Sequence, residues 1–301
     1  MDLIKKSVKN SDLIHLMGHW TLINAIAYYY IRKFKKPYTV CPAGALPVYG
    51  RSKALKKIYN LIVGKKMVEN ANKCIAITQK ERCEFYPYGV SDQKIVTIPN
   101  GINIDEYKYK DDDLFKKKYG ISKKNILFLG RLNFIKGPDI LLAAFNALKE
   151  KVKDYQLLII GPDEGMLNEM KKNIKNADSP DDVIFAGYVG GIEKSMAYHA
   201  ADLVVIPSRQ EAMSIVVLEA GITGTPVVIT DQCGFDEIET IRGGVVVPAT
   251  IEGVKSGMQQ ILMCPDKLVE KGNNLKQFCH KHYTWNASVK KYYQIQEQFI
   301  Q

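Results

Sequence analysis

The sequence predicts an α/β protein made of two Rossmann-like, doubly wound parallel-sheet domains. Three observations carry that expectation. Short apolar runs rich in β-branched residues recur along the chain, separated by segments with apolar residues three and four positions apart. The runs are continuous rather than alternating, as strands covered on both faces require. At 301 residues the chain is too long for one small core, so the alternation is expected to divide into two domains.

In the first third, strands are expected at 12–17 (DLIHLM), 37–42 (PYTVCP), 73–78 (KCIAIT) and 94–99 (KIVTIP), and helices at 21–35, 52–71 and 79–87. The stretch 106–125 is charged and lacks a sustained apolar period, so it reads as a connection carrying one short helix. From Asn125 the rhythm strengthens. Strands are expected at 125–130 (NILFLG), 155–161 (YQLLIIG), 183–189 (VIFAGYV), 203–208 (LVVIPS), 226–230 (PVVIT) and 243–248 (GGVVVP), with helical patterns such as 139–150 (DILLAAFNALKE) between them. The expected domains are 1–108 and 109–285, with a last helix in 286–301 packing back across the joint.

A composition of 46% hydrophobic and 25% charged residues is that of a soluble globular protein. No apolar run approaches the ~20 residues of a membrane span, and no signal peptide is apparent. Six cysteines without a CxxC pair suit a reducing cytosol, so a cytoplasmic location is expected. Cys279, His280 and His282 stand close together, but no second cluster answers them, and no metal site is expected. The net charge of +10 is confined to residues 1–108, which hold 18 Lys and Arg against 8 Asp and Glu. The rest of the chain holds 24 of each.

Two βα joints carry candidate chemistry. The strand at 125–130 runs through Gly130 into Arg131, Lys136, Gly137 and Pro138 before the next helix. Carboxyl ends of strands are where an α/β fold places ligands. Arg131 and Lys136 there suit phosphate oxygens, although solvated surface cations are the plain alternative. The second joint, 208–214, leads into a helix beginning near Ser214, whose free amides and dipole favour an anion. Glu211 precedes that helix and Glu219 lies inside it, roughly 10 Å apart at ~1.5 Å per helical residue. That separation is too long for one metal or a shared proton. Glycosidase carboxylate pairs, ~5–9.5 Å apart, come near it but need no phosphate clamp. Two exposed helix-edge carboxylates are the plain alternative. A nucleotide sugar fits best, with sugar hydroxyls at one carboxylate, ribose hydroxyls at the other and diphosphate between.

The segments GRLNFIKGPDILLAAF and PSRQEAMSIVVLEAGITGTPVV, with the sheet between them, resemble the donor-binding half of the retaining GT-B glycosyltransferases of group 1 (family 4). The resemblance covers about residues 95–300. It implies that Arg131 and Lys136 neutralise the leaving diphosphate, that Glu211 holds the transferred sugar and that Glu219 holds the ribose. Ala212, Met213, Ser214 and Ile215 would lend amides to sugar and phosphates, and Val189 would border the base. No cofactor and no metal is implied beyond the nucleoside-diphosphate-sugar donor.

Two departures from the family pattern stand out. The loop after Glu211 reads Ala-Met-Ser where the family commonly has glycines, so side chains are expected to crowd the sugar. The chain also starts near DLIHLMGHW, so the first domain is expected to lack its initial strands and to self-associate or recruit a partner chain through residues 1–60. Ala43 stands where the family often has a histidine, which leaves His15 and His19 as acceptor-side candidates. Helix 51–66 carries Arg51, Lys53, Lys56, Lys57, Lys65 and Lys66 around apolar residues. It suits an anionic membrane interface and a lipid-linked acceptor, or is simply solvated. No nucleic-acid motif accompanies it.

The resulting expectation is a retaining hexosyltransferase acting on a glycan or lipid-linked acceptor in surface polysaccharide or lipopolysaccharide synthesis. It would work in the cytoplasm, at the inner face of the membrane. The alternative is a donor-binding module that needs a partner chain for catalysis. A sugar-nucleotide epimerase would need an acid/base set that the sequence does not supply.

Overall fold

A computed structural model describes residues 1–48, 52–175, 180–235 and 237–299. The chain divides into two compact units, Met1–Asn100 with Asn286–Gln301, and Gly101–Trp285. The boundary therefore falls earlier than the expected 108. Ile102 forms a bridge with Thr284, and Tyr107 is buried within the second unit, so residues 101–108 belong with that unit.

The first unit contains β1 (Ile14–Met17), β2 (Tyr38–Cys41), β3 (Lys73–Ala76) and β4 (Ile95–Thr97), all parallel and in the order β1-β2-β3-β4. Its helices are α1 (Asp2–Asn10), α2 (Leu22–Phe34), α3 (Lys53–Tyr59), α4 (Lys65–Glu69) and α5 (Gln79–Phe85). Thr21 caps α2 by accepting from Asn24 N, and Thr78 caps α5 by accepting from Glu81 N. Glu81, buried, answers with its own carboxylate, which accepts from the backbone amides of Ile77 and Gly44. The core joins Val40, Cys74 and Ala76 of the sheet to Ile31, Met67, Val68 and Phe85 of the helices.

The expected helix over 52–71 is interrupted. Between α3 and α4, residues Asn60–Gly64 form a π turn. A side chain at Gly64 would meet Asn60 Oδ1 at 2.4 Å and the Tyr59 ring at 2.8 Å, so the wide turn needs glycine there. Arg51, placed at the start of this helix by the sequence, lies outside the described residues. Helix α1 was not anticipated: nine residues with three lysines show little apolar face, yet Val8 is buried and α1 packs on α2.

The second unit opens with α6 (Asp112–Tyr119). It then alternates β5 (Lys124–Leu129), α7 (Pro138–Leu148), β6 (Tyr155–Ile160), α8 (Leu167–Lys175), β7 (Val183–Gly187), α9 (Gly191–His199), β8 (Leu203–Ile206), α10 (Ile215–Thr223), β9 (Val227–Thr230), α11 (Glu237–Thr240) and β10 (Gly244–Val247). Helices α12 (Ile251–Leu262), α13 (Asp266–His282) and α14 (Trp285–Gln296) follow, the last lying almost wholly in the first unit. All six strands are parallel, in the order β10-β9-β8-β5-β6-β7. The direction of winding reverses between β5 and β8, the place where such sheets open a crevice. Helices α7 and α12 pack together over a core that includes Leu141, Phe145, Leu157 and Met258, while α10 packs on α13. Cys279 is part of that second contact: it is fully buried, and a side chain at Gly221 would meet its sulfur at 2.3 Å. Of the group at 279–282, Cys279 belongs to this helix packing, while His280 and His282 are exposed.

Candidate functional site

The joints that follow β5 and β8 flank the switch point. They are held against each other by backbone. Arg209 N donates to Ile135 O at 2.7 Å, while Gly130 N donates to Ile160 O at 2.9 Å. Glu211 N and Ser214 N donate to Gln232 O and Cys233 O in the loop after β9. Gly137 caps α7 with φ +67°, and a Cβ there would lie 2.2 Å from the carbonyl oxygen of Pro207. Only glycine permits both the left-handed backbone and that approach. Pro138 then starts α7 at its first position.

This backbone brings Lys136 and Glu211 together. Lys136 Nζ lies 2.9 Å from Glu211 Oε1, and Ser208 Oγ donates to the same oxygen at 2.5 Å. The Glu211 side chain is only 8% exposed, so the ammonium and hydroxyl replace the water it has lost. Arg131 is placed differently. Its side chain is 55% exposed and pairs with Glu164 at 3.2 Å, in the joint after β6. Asn133 links the two groups, donating to Glu164 at 2.6 Å and accepting from Lys136 N at 2.9 Å. Asn133 and then Arg131 hold the Glu164 carboxyl below the usual carboxylate range.

Helix α10 begins after Ser214, whose Oγ is buried without a hydrogen-bond partner among the described residues. Nine helical residues give the terminus a positive dipole end. Ser214 N donates to Cys233 O and Val217 N to Ser214 O, so the first-turn amides left for an anion are those of Ile215 and Val216. Around it, Met213 is buried, Ala212 half-buried and Ile215 39% exposed. Gly130 closes β5, and Val189, buried, lies between β7 and α9.

Glu219 is buried in α10 and already has three partners. Its Oε1 accepts from Tyr107 OH at 2.6 Å and Lys194 Nζ at 2.5 Å, and its Oε2 from Tyr198 OH at 2.5 Å. Burial, and then the charge on Glu219, push both phenols up, so both remain donors at neutral pH. Sequence reasoning missed these partners, together with Ser208, Asn133 and Glu164. Tyr107 lies in the charged stretch read as a connection. The spacing of Lys194 and Tyr198, one helical turn apart, was the available signal for a shared partner.

His15 and His19 belong to the first unit. His15 Nδ1 lies 2.5 Å from Thr39 Oγ1, and its ring meets Tyr292 edge-on. His19 is buried among Trp20, Tyr59 and Tyr88, and its Nε2 donates to Asn60 Oδ1 at 2.8 Å. Burial lowers the pKa of both rings. Among the described residues, no three His, Cys, Asp or Glu side chains come together as metal ligands, and no helix is long and apolar enough to cross a membrane.

Comparison with known proteins identifies the family of this chain. Residues 111–282 match the family model for glycosyl transferases group 1, and residues 2–106 that for glycosyltransferase family 4. A glycosyltransferase of Methanocaldococcus jannaschii is 30% identical over 220 residues, 70% of this chain and 55% of its own length. The mannosylfructose-phosphate synthase of Agrobacterium fabrum is 33% identical over 158 residues, 49% of this chain and 35% of its own. The chain thus spans about half or less of these curated relatives. Among solved structures, the Anabaena protein HepE in complex with UDP aligns with a TM-score of 0.84 at 20% identity, covering 99% of this chain and 80% of that one. Both sheets thus have the GT-B architecture.

Proposed function

Because the chain belongs to the group 1 glycosyl transferases, we propose that it moves a hexose from a nucleoside diphosphate to a glycan or lipid-linked acceptor, with retention of configuration. The observation that carries this reading is the meeting of Lys136, Glu211 and Ser208 beside the amide end of α10, where Ser214 Oγ is buried and unpartnered among the described residues.

The chemistry follows from what each group can donate or accept. Lys136 has three N–H donors and can keep Glu211 while donating to a diphosphate oxygen. With the α10 amides, it stabilises the charge that develops as the sugar–phosphate bond breaks. Glu211 accepts from sugar hydroxyls. The exposed Arg131–Glu164 pair is worth little in water, so Arg131 exchanges it readily for a doubly charged phosphate. Glu219 offers about four lone-pair sites, of which three are in use, leaving one for a ribose hydroxyl. Val189 borders the base, and Gly130 with Ala212, Met213 and Ile215 contributes backbone. No step needs a covalent enzyme intermediate or a metal ion.

His15 and His19 are acceptor-side contacts in this reading. The setting is surface polysaccharide or lipopolysaccharide synthesis at the cytoplasmic face of a membrane. Thermal shift against UDP-, GDP- and ADP-sugars tests the donor class, and UDP comes first because a structural relative was solved with it. If no nucleotide sugar raises the melting temperature, the reading fails. A second reading rests on β1, which lies at an edge of its sheet. In it, the chain binds donor but transfers only when a partner chain pairs with that edge. Binding without turnover distinguishes it from the first.

A further inference from the structure

Beside the π turn of the first unit lies a cavity of about 600 Å³, a size typical of small-molecule sites. Lys57, Leu61 and Lys65, spaced four residues apart, run along one side of it. Leu46, Pro47 and Pro87 supply apolar wall. At its inner end Tyr88 OH donates to Leu46 O at 2.9 Å and accepts from Asn60 Nδ2 at 2.8 Å, so the polar atoms there are satisfied. Leu61 is 84% exposed and Ile62 72%, because the wide turn presents two successive apolar residues outward. A second apolar cavity of about 400 Å³, lined by Tyr59, Ile62 and Val63, opens on the other face of the same helix.

Apolar walls beneath a rim of two lysines complement one kind of molecule: a long hydrocarbon chain ending in an anion. We propose that the cavity holds the apolar chain of a single anionic lipid, with the lipid phosphate at the rim formed by Lys57 and Lys65. Exposed Lys53 and Lys66 on the same helix add to the positive rim. Glu84 also lines the cavity, and its Oε2 is buried with no hydrogen-bond partner among the described residues. Burial, then the charge on Glu81, pushes this carboxyl up to about 7. In its neutral form it can donate to an ester or hydroxyl oxygen of the headgroup. The site deepens the acceptor side of the proposed transfer, since it would present a lipid-linked acceptor from the first unit.

The test uses the whole chain and n-dodecyl phosphate below its critical micelle concentration, titrated calorimetrically. Inorganic phosphate and n-dodecyl maltoside serve as controls. Saturable one-to-one binding of dodecyl phosphate is expected, weakened roughly tenfold or more in the Leu61→Asp variant and in the Lys57→Gln/Lys65→Gln double variant. Tenfold corresponds to about 1.4 kcal/mol, the scale of a charge-assisted contact. These positions are exposed, so the variants should fold, and an unchanged thermal shift with UDP checks that independently. That same measurement separates failure of the lipid site from failure of the donor reading. No binding of dodecyl phosphate overturns the proposal. So does equal affinity for dodecyl maltoside, which would leave only an apolar hole, or equal affinity for inorganic phosphate, which would leave only an anion site. Undiminished dodecyl phosphate binding by Leu61→Asp, with loss of adsorption to phosphatidylglycerol vesicles, also overturns it in favour of a flat membrane contact.

Discussion

Replacing Glu219 by glutamine tests the donor edge most sharply, because the change is isosteric and removes only charge and one acceptor. In the native protein three donors converge on this carboxylate, two hydroxyls and one ammonium. The hydroxyls of Tyr107 and Tyr198 can rotate and accept from the new amide. Lys194 cannot, and it loses its counterion. A hydrogen bond to a charged group is worth about 1.5–3 kcal/mol. Because the Lys194 side chain is 27% exposed and water can take up its ammonium, the lower part of that range applies. Glu219→Gln should therefore cost about 2 kcal/mol, or roughly 4–8 °C in the melting temperature of a unit of this size. Lys194→Met should cost less. The double variant should fall short of the sum by about 1 kcal/mol, since the two residues touch. With UDP at a hundred times its dissociation constant, the native protein should gain about 2.7 kcal/mol, and Glu219→Gln should forfeit most of that gain. Urea melts with and without UDP read both quantities. A cost below ~0.5 kcal/mol with the UDP effect intact would refute the reasoning, and strict additivity would show that the Lys194 contact is absent in solution.

Lys136→Ala leaves a nearly buried Glu211 with Ser208 alone, so about 1–3 kcal/mol of stability should go along with transferase activity. Glu211→Ala should abolish transfer in a folded protein, as judged by circular dichroism and a donor-turnover assay; retained turnover in either variant would remove that residue from the site. Gly137→Ala should lose both stability and nucleotide binding, because its Cβ would strike the Pro207 carbonyl at 2.2 Å. An unaltered thermal shift would show that the joint can yield. Glu84 gives a pH signature. Burial raises its pKa from the ordinary glutamate value of 4.5 to about 7, so the folded state binds its proton more tightly. The stability this contributes is complete below about pH 4.5 and is lost as pH rises through about 7. Melting temperatures of the native protein should therefore fall relative to Glu84→Gln across that window, and a constant difference would contradict the assignment. Light scattering after size exclusion should find self-association that proline substitution at His15 in β1 weakens, if that edge pairs with another chain.

Much of this was legible because parallel sheets leave a strong signature. Apolar runs located the ten strands of the described residues to within two or three residues, as with 203–208 against the observed Leu203–Ile206. The two joints were legible because Gly137, Pro138 and Ser214 mark strand-to-helix turns in the sequence itself. What each charged side chain touches was not. Arg131 and Lys136 sit five residues apart in one joint, yet one pairs with Glu164 and the other with Glu211, because loops distant in sequence supply the partners. The partners of Glu219 were hidden for the same reason: Tyr107 lies 112 positions away in a segment whose charge pattern suggests solvent. Nor could periodicity reveal the π turn, where Asn60 bonds His19 and Tyr88, residues distant in sequence.

In the proposed reading, the pairing of charges at the donor edge has a consequence for selectivity. Lys136 with Glu211, Lys194 with Glu219, Arg131 with Glu164, and Arg209 with Asp139 make four cations matched by four carboxylates. Such an edge projects little field into solution, so it does little to steer polyphosphates from a distance. Free pyrophosphate could draw on Arg131 and on the spare donors of Lys136, but it would leave the Glu164 and Glu211 carboxylates facing its charge. A nucleotide sugar meets the same matched pairs but brings hydroxyls for the carboxylates and a base for the apolar wall. Discrimination against the many simpler anions of a cell would then arise from electrical neutrality rather than from attraction, and donor affinity should vary only weakly with ionic strength.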